Sequence, residues 1–157
     1  VLTVIGCGNA NRSDDGVGVF VAQTLLRRLR DHPREDVRVF DAGTGGMEVM
    51  FQARGASRLI VVDAQQPGEA PGAIYRVPGE QLAVDHAPAL TLHDFRWDHA
   101  LAAGRRIFRD DFPGDVTVYL IEAANLDLGL ELTPAVRASA LRVVELIAAD
   151  IDTHVTG

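Results

Sequence analysis

Apolar residues along the chain fall into two kinds of pattern, short uninterrupted runs and longer sets at helical spacing, and the two alternate. Val1 to Ile5 (VLTVI) is a β-branched run closed by Gly6, as expected of a strand buried on both faces. Asp15 to Leu29 places Val17, Phe20, Val21, Leu25 and Leu29 near helical spacing, with Ser13 or Asp14 as N-cap and the acidic pair favourably placed in the first turn. Pro33 stops this helix, and Val37 to Phe40 (VRVF) reads as the second strand. Met47 to Arg54 reads as a short helix, and Arg58 to Val62 (RLIVV) as the most hydrophobic strand, ending at Asp63. Ala73 to Val77 is an edge-strand candidate. The segment PGEQLAVDHAPALTLHDF has no sustained period and reads as a surface loop, and residues 80–96 are expected to form the mobile part of the site. Asp98 to Ile107 then reads as helix and Val116 to Ile121 as strand. The last helix is capped by Thr133, takes Pro134 at its first position and runs through Ala149. Strands that are continuously apolar and separated by helices predict an α/β fold: a three-layer α/β/α sandwich around a mostly parallel, twisted sheet of about five strands.

Length and composition agree with one domain over 1–157. A chain of 157 residues can bury about two-thirds of its extended surface without a partner domain. With 47% apolar and 24% charged residues it is neither disordered nor fibrous, and no run reaches the length of a membrane span. The formal charge of −7, with bases scattered along the chain, argues against nucleic acid as a partner. All 15 bases are arginine, which excludes Schiff-base chemistry, the lysine of a phosphate-binding loop and a lysine general base. The single Cys7 forbids an internal disulfide, and VLTVIG lacks the features of a secretory signal, so the cytoplasm is the expected compartment.

In a parallel sheet the ligand site lies beyond the carboxyl ends of the strands. Acids gather there: Asp14 and Asp15 after the first strand, Asp41 after the second and Asp63 after the third. Crowded carboxylates repel one another unless a positive centre sits among them, and a divalent metal would supply it. Asp14, at the cap position, takes the structural role, which asparagine could also fill, and Asp15 takes the chemical one. Gly6, Gly8, Gly16 and Gly18 are expected to allow tight turns and the close approach of a bulky ligand. GCGNANRSDDG departs from the G-x-G-x-x-G spacing of dinucleotide sites, and its acids would repel a pyrophosphate. His93, in TLHDF, could join Asp15 and Asp63 in a mixed nitrogen and oxygen site suited to zinc or nickel. His86 is its rival, and His99 is expected to face solvent. Cys7 reads as a small buried thiol rather than a nucleophile.

These residues carry a resemblance. GCGNANRSDDGVGV (6–19), FDAGTGGMEVM (40–50), RLIVVDA (58–64), TLHDF (91–95) and GLELTPAV (129–136), in that order, resemble the hydrogenase maturation endopeptidases over roughly residues 2–148. The resemblance implies a twisted sheet between helices. It also implies an activity: removal of the C-terminal extension from the large-subunit precursor of a nickel-iron hydrogenase after nickel insertion. The family's metal-binding trio maps onto Asp15, where many members carry Glu, Asp63 and His93; Asp41 matches an acid tied to substrate handling or cleavage. Asp15 or Asp41 is implied as the base, so the catalytic set is Asp15, Asp41, Asp63 and His93. Nickel would arrive with the precursor, zinc or cadmium could substitute in vitro, and the protein is expected to act as a monomer. Two other readings compete: a receiver-like phosphoacceptor, which needs a late-strand lysine that this chain lacks, and a nucleotide-binding interaction domain.

Overall fold

The computed structural model describes residues 1–79 and 97–154. Five strands, β1 (Leu2–Cys7), β2 (Val37–Gly43), β3 (Arg58–Gln65), β4 (Ile74–Pro78) and β5 (Asp115–Glu122), form one sheet in the order β2-β1-β3-β5-β4. The β1–β2, β1–β3 and β3–β5 pairs are parallel. Only β4 runs antiparallel, against β5. β4 is also the least buried strand and ends in Pro78, which an edge tolerates because it needs no full ladder of N–H donors. The expected strands are all present, and β1, β2 and β3 run two or three residues beyond their apolar runs.

Because successive strand side chains alternate between faces, each central strand supplies two cores. Leu2 and Val4 of β1, Ile60 and Val62 of β3, and Tyr119 and Ile121 of β5 meet α1 (Val17–Asp31) and α4 (Pro134–Thr153) on one face. Ile5 of β1, Leu59 and Val61 of β3, and Val116 and Val118 of β5 meet α2 (Gly46–Ala53) and α3 (Trp97–Phe108) on the other. This double burial is why the runs read as continuously apolar rather than alternating.

The start of α1 differs from the sequence reading. A 3-10 turn, Ser13–Gly16, precedes the helix; Gly16 occupies the N-cap position of α1 with no side-chain cap bond, so neither Ser13 nor Asp14 caps it. The glycines also serve a different end. A Cβ on Gly18 would lie 2.3 Å from the carbonyl oxygens of both Cys7 and Val62, and one on Gly6 would lie 2.1 Å from the carbonyl oxygen of Gly18. These two positions let α1 press its backbone against β1 and β3, rather than admit a ligand.

Candidate functional site

The chain leaves β1 through α1 to β2 on one side, then passes through α2 to β3 on the other. The two connections diverge between β1 and β3, and such a divergence leaves a crevice beyond the strand ends. A cleft of about 470 Å³ lies there, lined by Cys7 at the end of β1, Gly8, Arg12 and Asp15 of the segment that follows, the Gly43–Gly46 segment, and Asp63, Trp97 and Leu126.

Two of the predicted acids meet in this cleft. Asp63, only 3% exposed, is fixed at both oxygens: Oδ1 accepts the N–H of Ala64 at 2.7 Å, and Oδ2 accepts the indole N–H of Trp97 at 2.8 Å. Asp15 is half-buried, and its Oδ2 accepts the Asn9 N–H at 3.0 Å. Gly8 separates the two. Its φ of +130° is one that side-chain-bearing residues rarely adopt, and a Cβ there would lie 1.9 Å from the Asp15 carbonyl oxygen and 3.4 Å from Asp63 Oδ1. Arg12 also lines the cleft, and its Nε–H donates to the carbonyl oxygen of Leu126 at 3.1 Å.

Asp14 points elsewhere. It is fully buried, and its carboxylate gathers the β5–α4 connection: Oδ1 accepts the Thr133 N–H at 2.7 Å, while Oδ2 accepts the N–H groups of Ala124 and Asn125 at 2.9 and 3.0 Å and the Thr133 hydroxyl at 2.9 Å. Thr133 does hold the N-cap position of α4, but its hydroxyl donates to Asp14 instead of capping the helix. Backbone bonds extend the clamp, with Ser13 N–H donating to Gly129 O, Asp14 N–H to Asn125 O and Gly129 N–H to Asn11 O. Ser13 adopts φ +51° to fit it. Asp14 is structural, as the sequence suggested, but as a clamp between distant segments rather than a helix cap.

The remaining candidates are spread more widely. Asp41 is exposed and is absent from the cleft lining; its Oδ1 accepts the Gly43 N–H at 3.0 Å, which shapes the turn whose backbone forms one wall. His93 and its rival His86 lie outside the described residues, as does the expected loop over 80–96. Among the described residues no group of three or more His, Cys, Asp or Glu side chains could hold a metal ion, so the proposed trio is represented there by Asp15 and Asp63. His99 is half-buried beside Asp98 rather than solvent-facing. Cys7 is buried at the cleft lining, in keeping with a small packed thiol. Sequence reasoning missed Trp97, the only tryptophan of the chain, and its position at the head of a helix close after TLHDF was the available signal.

Comparison with known proteins adds the family context. The family model described as HycI, hydrogenase maturation protease, matches residues 19–150. The hydrogenase 2 maturation protease of Escherichia coli (strain K12) is 28% identical over 151 residues, spanning 94% of this chain and 88% of that protein. The hydrogenase expression/formation protein HoxM of Azotobacter vinelandii is 31% identical over 147 residues, spanning 90% of this chain and 69% of that one. The solved structure of the hydrogenase maturating endopeptidase HybD from E. coli superposes with a TM-score of 0.75 at 24% identity, covering 96% of this chain and 91% of that chain, and shares the fold.

Proposed function

The chain belongs to the hydrogenase maturation protease family, and on that premise we propose that it is the endopeptidase that removes the C-terminal extension of a nickel-iron hydrogenase large-subunit precursor once nickel is in place. The observation that carries the reading is the meeting of Asp15 and Asp63 in one cleft at the β1–β3 divergence, although they lie far apart in sequence and on different elements. Two carboxylates with an imidazole from His93 form a donor set suited to nickel or zinc. Nickel belongs to the substrate here, and zinc or cadmium would serve as stand-ins for it in binding measurements.

Each residue then has a task. Asp63 is held at both oxygens, by the Ala64 N–H and the Trp97 indole N–H, so its carboxylate keeps a fixed direction in the cleft. Asp15, with a single hydrogen bond and partial exposure, has the freedom to take a metal or to accept a proton from the attacking water. Asp41 shapes the Gly43 turn, so its contribution is to the wall against which the substrate lies rather than to proton transfer. The protein acts as a monomer in the cytoplasm, where the thiol of Cys7 stays reduced.

The test is cleavage of nickel-loaded precursor, read by mass spectrometry. Asp15→Asn and His93→Ala should reduce processing by at least about a hundredfold, in line with the loss of a metal ligand or base. Asp15→Asn is the cleaner variant: Asp63→Asn turns an amide N–H toward a donor already in place and costs an additional ~1–3 kcal/mol of stability. Nickel added to the isolated protein should quench Trp97 fluorescence, and less so in each of the three variants. A parent protein that trims no nickel-loaded precursor, or an Asp15→Asn variant that cleaves at the parent rate, would refute the proposal.

A further inference from the structure

The β5–α4 connection carries leucine at alternate positions, 126, 128, 130 and 132, in the run NLDLGLEL. Their environments diverge. Leu132 packs against the α1–α4 core and Leu126 lines the cleft, whereas Leu128 and Leu130 are 85% and 81% exposed, more than any other large apolar side chain described. A single exposed leucine is ordinary, but two beside a cleft on a fixed backbone are not. Besides the Asp14 clamp, the Ser13 hydroxyl donates to Asp127 O at 2.8 Å, the Arg12 Nε–H donates to Leu126 O at 3.1 Å, and the Asp127 N–H donates to the side chain of Asn125 at 3.0 Å. The loop therefore pays its ordering entropy on folding, before any partner arrives, and this is the condition that favours binding.

The geometry points to Leu128 and Leu130 as a preformed docking lip for an apolar segment of the polypeptide substrate, an inference that rests on the proteolytic reading above. The cleft of about 470 Å³ has the size of a small-molecule site and takes only a few residues of a polypeptide, so the chain on either side must cross its rim. Leu126 belongs to the cleft lining, so the lip is continuous with the site. The exposed acids Asp127 and Glu131 flank the leucines, which matches a segment whose apolar residues are bordered by arginine or lysine.

The test compares steady-state processing of nickel-loaded precursor by the parent, by Leu128→Ser/Leu130→Ser and by a control, Leu141→Ser, on the exposed face of α4. Because the two lip side chains are in water in the free protein, the double variant should keep the parent melting temperature and the parent nickel quench of Trp97. Its KM should rise about tenfold or more with a much smaller change in kcat, as expected from withdrawing two leucines from a binding surface. Leu141→Ser should keep the parent KM. Asp127→Asn/Glu131→Gln should raise KM modestly and weaken its dependence on salt. A double leucine variant with the parent KM overturns the docking lip while leaving the proteolytic reading intact. A parent dimer that Leu128→Ser/Leu130→Ser dissociates, as read by light scattering, would assign the leucines to self-association and also overturn it. A parent that trims no nickel-loaded precursor removes both proposals.

Discussion

Replacing Asp14 by asparagine changes one atom, and a helix cap would tolerate it. The clamp does not. Both oxygens of Asp14 face donors: Oδ2 receives two backbone N–H groups and Oδ1 receives the Thr133 N–H, with the Thr133 hydroxyl alongside. Asparagine offers one acceptor oxygen. Its best arrangement keeps that oxygen on Ala124 and Asn125 and turns the amide nitrogen toward Thr133, where the hydroxyl can rotate to accept but the backbone N–H loses its partner. An orphaned buried donor costs ~1–3 kcal/mol. The bonds that survive fall from charge-assisted to neutral, a further loss of ~1 kcal/mol or more, partly offset because a charge no longer has to be buried. The net expectation is about 3 kcal/mol, which for a domain of this size lowers the melting temperature by roughly 6–12 °C. Asp15→Asn, with one acceptor bond that the amide oxygen can keep, should shift it by about 2 °C at most. Thermal melts of the two variants beside the parent decide the matter. An Asp14→Asn melt within about 2 °C of the parent, or a larger loss in Asp15→Asn, would refute the clamp.

Gly18→Ala should be among the most damaging single changes, because the new methyl would lie 2.3 Å from two backbone oxygens that cannot move without separating α1 from β1 and β3. A loss of more than about 3 kcal/mol is expected, checked by urea unfolding, and a parent-like midpoint would contradict the packing described. The two tyrosines should both ionise above the usual tyrosine range. Burial, reinforced by the charge of Asp150, raises Tyr119, and the charge of Glu122, reinforced by burial, raises Tyr75. The folded protein then holds these protons at a pH where the unfolded chain has lost them, so their stabilising effect is complete below the ordinary tyrosine pKa and fades as pH rises through the folded values. Ultraviolet titration of the phenolates should show their appearance delayed in folded protein relative to protein in denaturant, and a coincident titration would exclude the shifts.

What the sequence determined by itself is what depends on neighbours along the chain. Uninterrupted runs such as RLIVV identified strands covered on both faces, helical spacing identified α1 and α4, and Pro134 marked the start of α4, because burial period and local backbone preference act within a few residues. The ends of β1 and β3 pointed to Asp15 and Asp63, which line one cleft, for the same reason: a parallel strand fixes which end its successor faces. The fate of side chains that reach across the fold was decided only in three dimensions. Asp14 sits one residue from Asp15, yet the 3-10 turn sends it to Thr133, 119 positions away, and no local preference encodes that partner. The glycine at 18 looked like room for a ligand until α1 came down on Val62, and Trp97 became the support of Asp63 only when α3 packed beside β3. Hydrophobic burial sets a face and a period, both legible along a chain. A hydrogen bond between segments depends on the distance and angle that remain once every face has been packed.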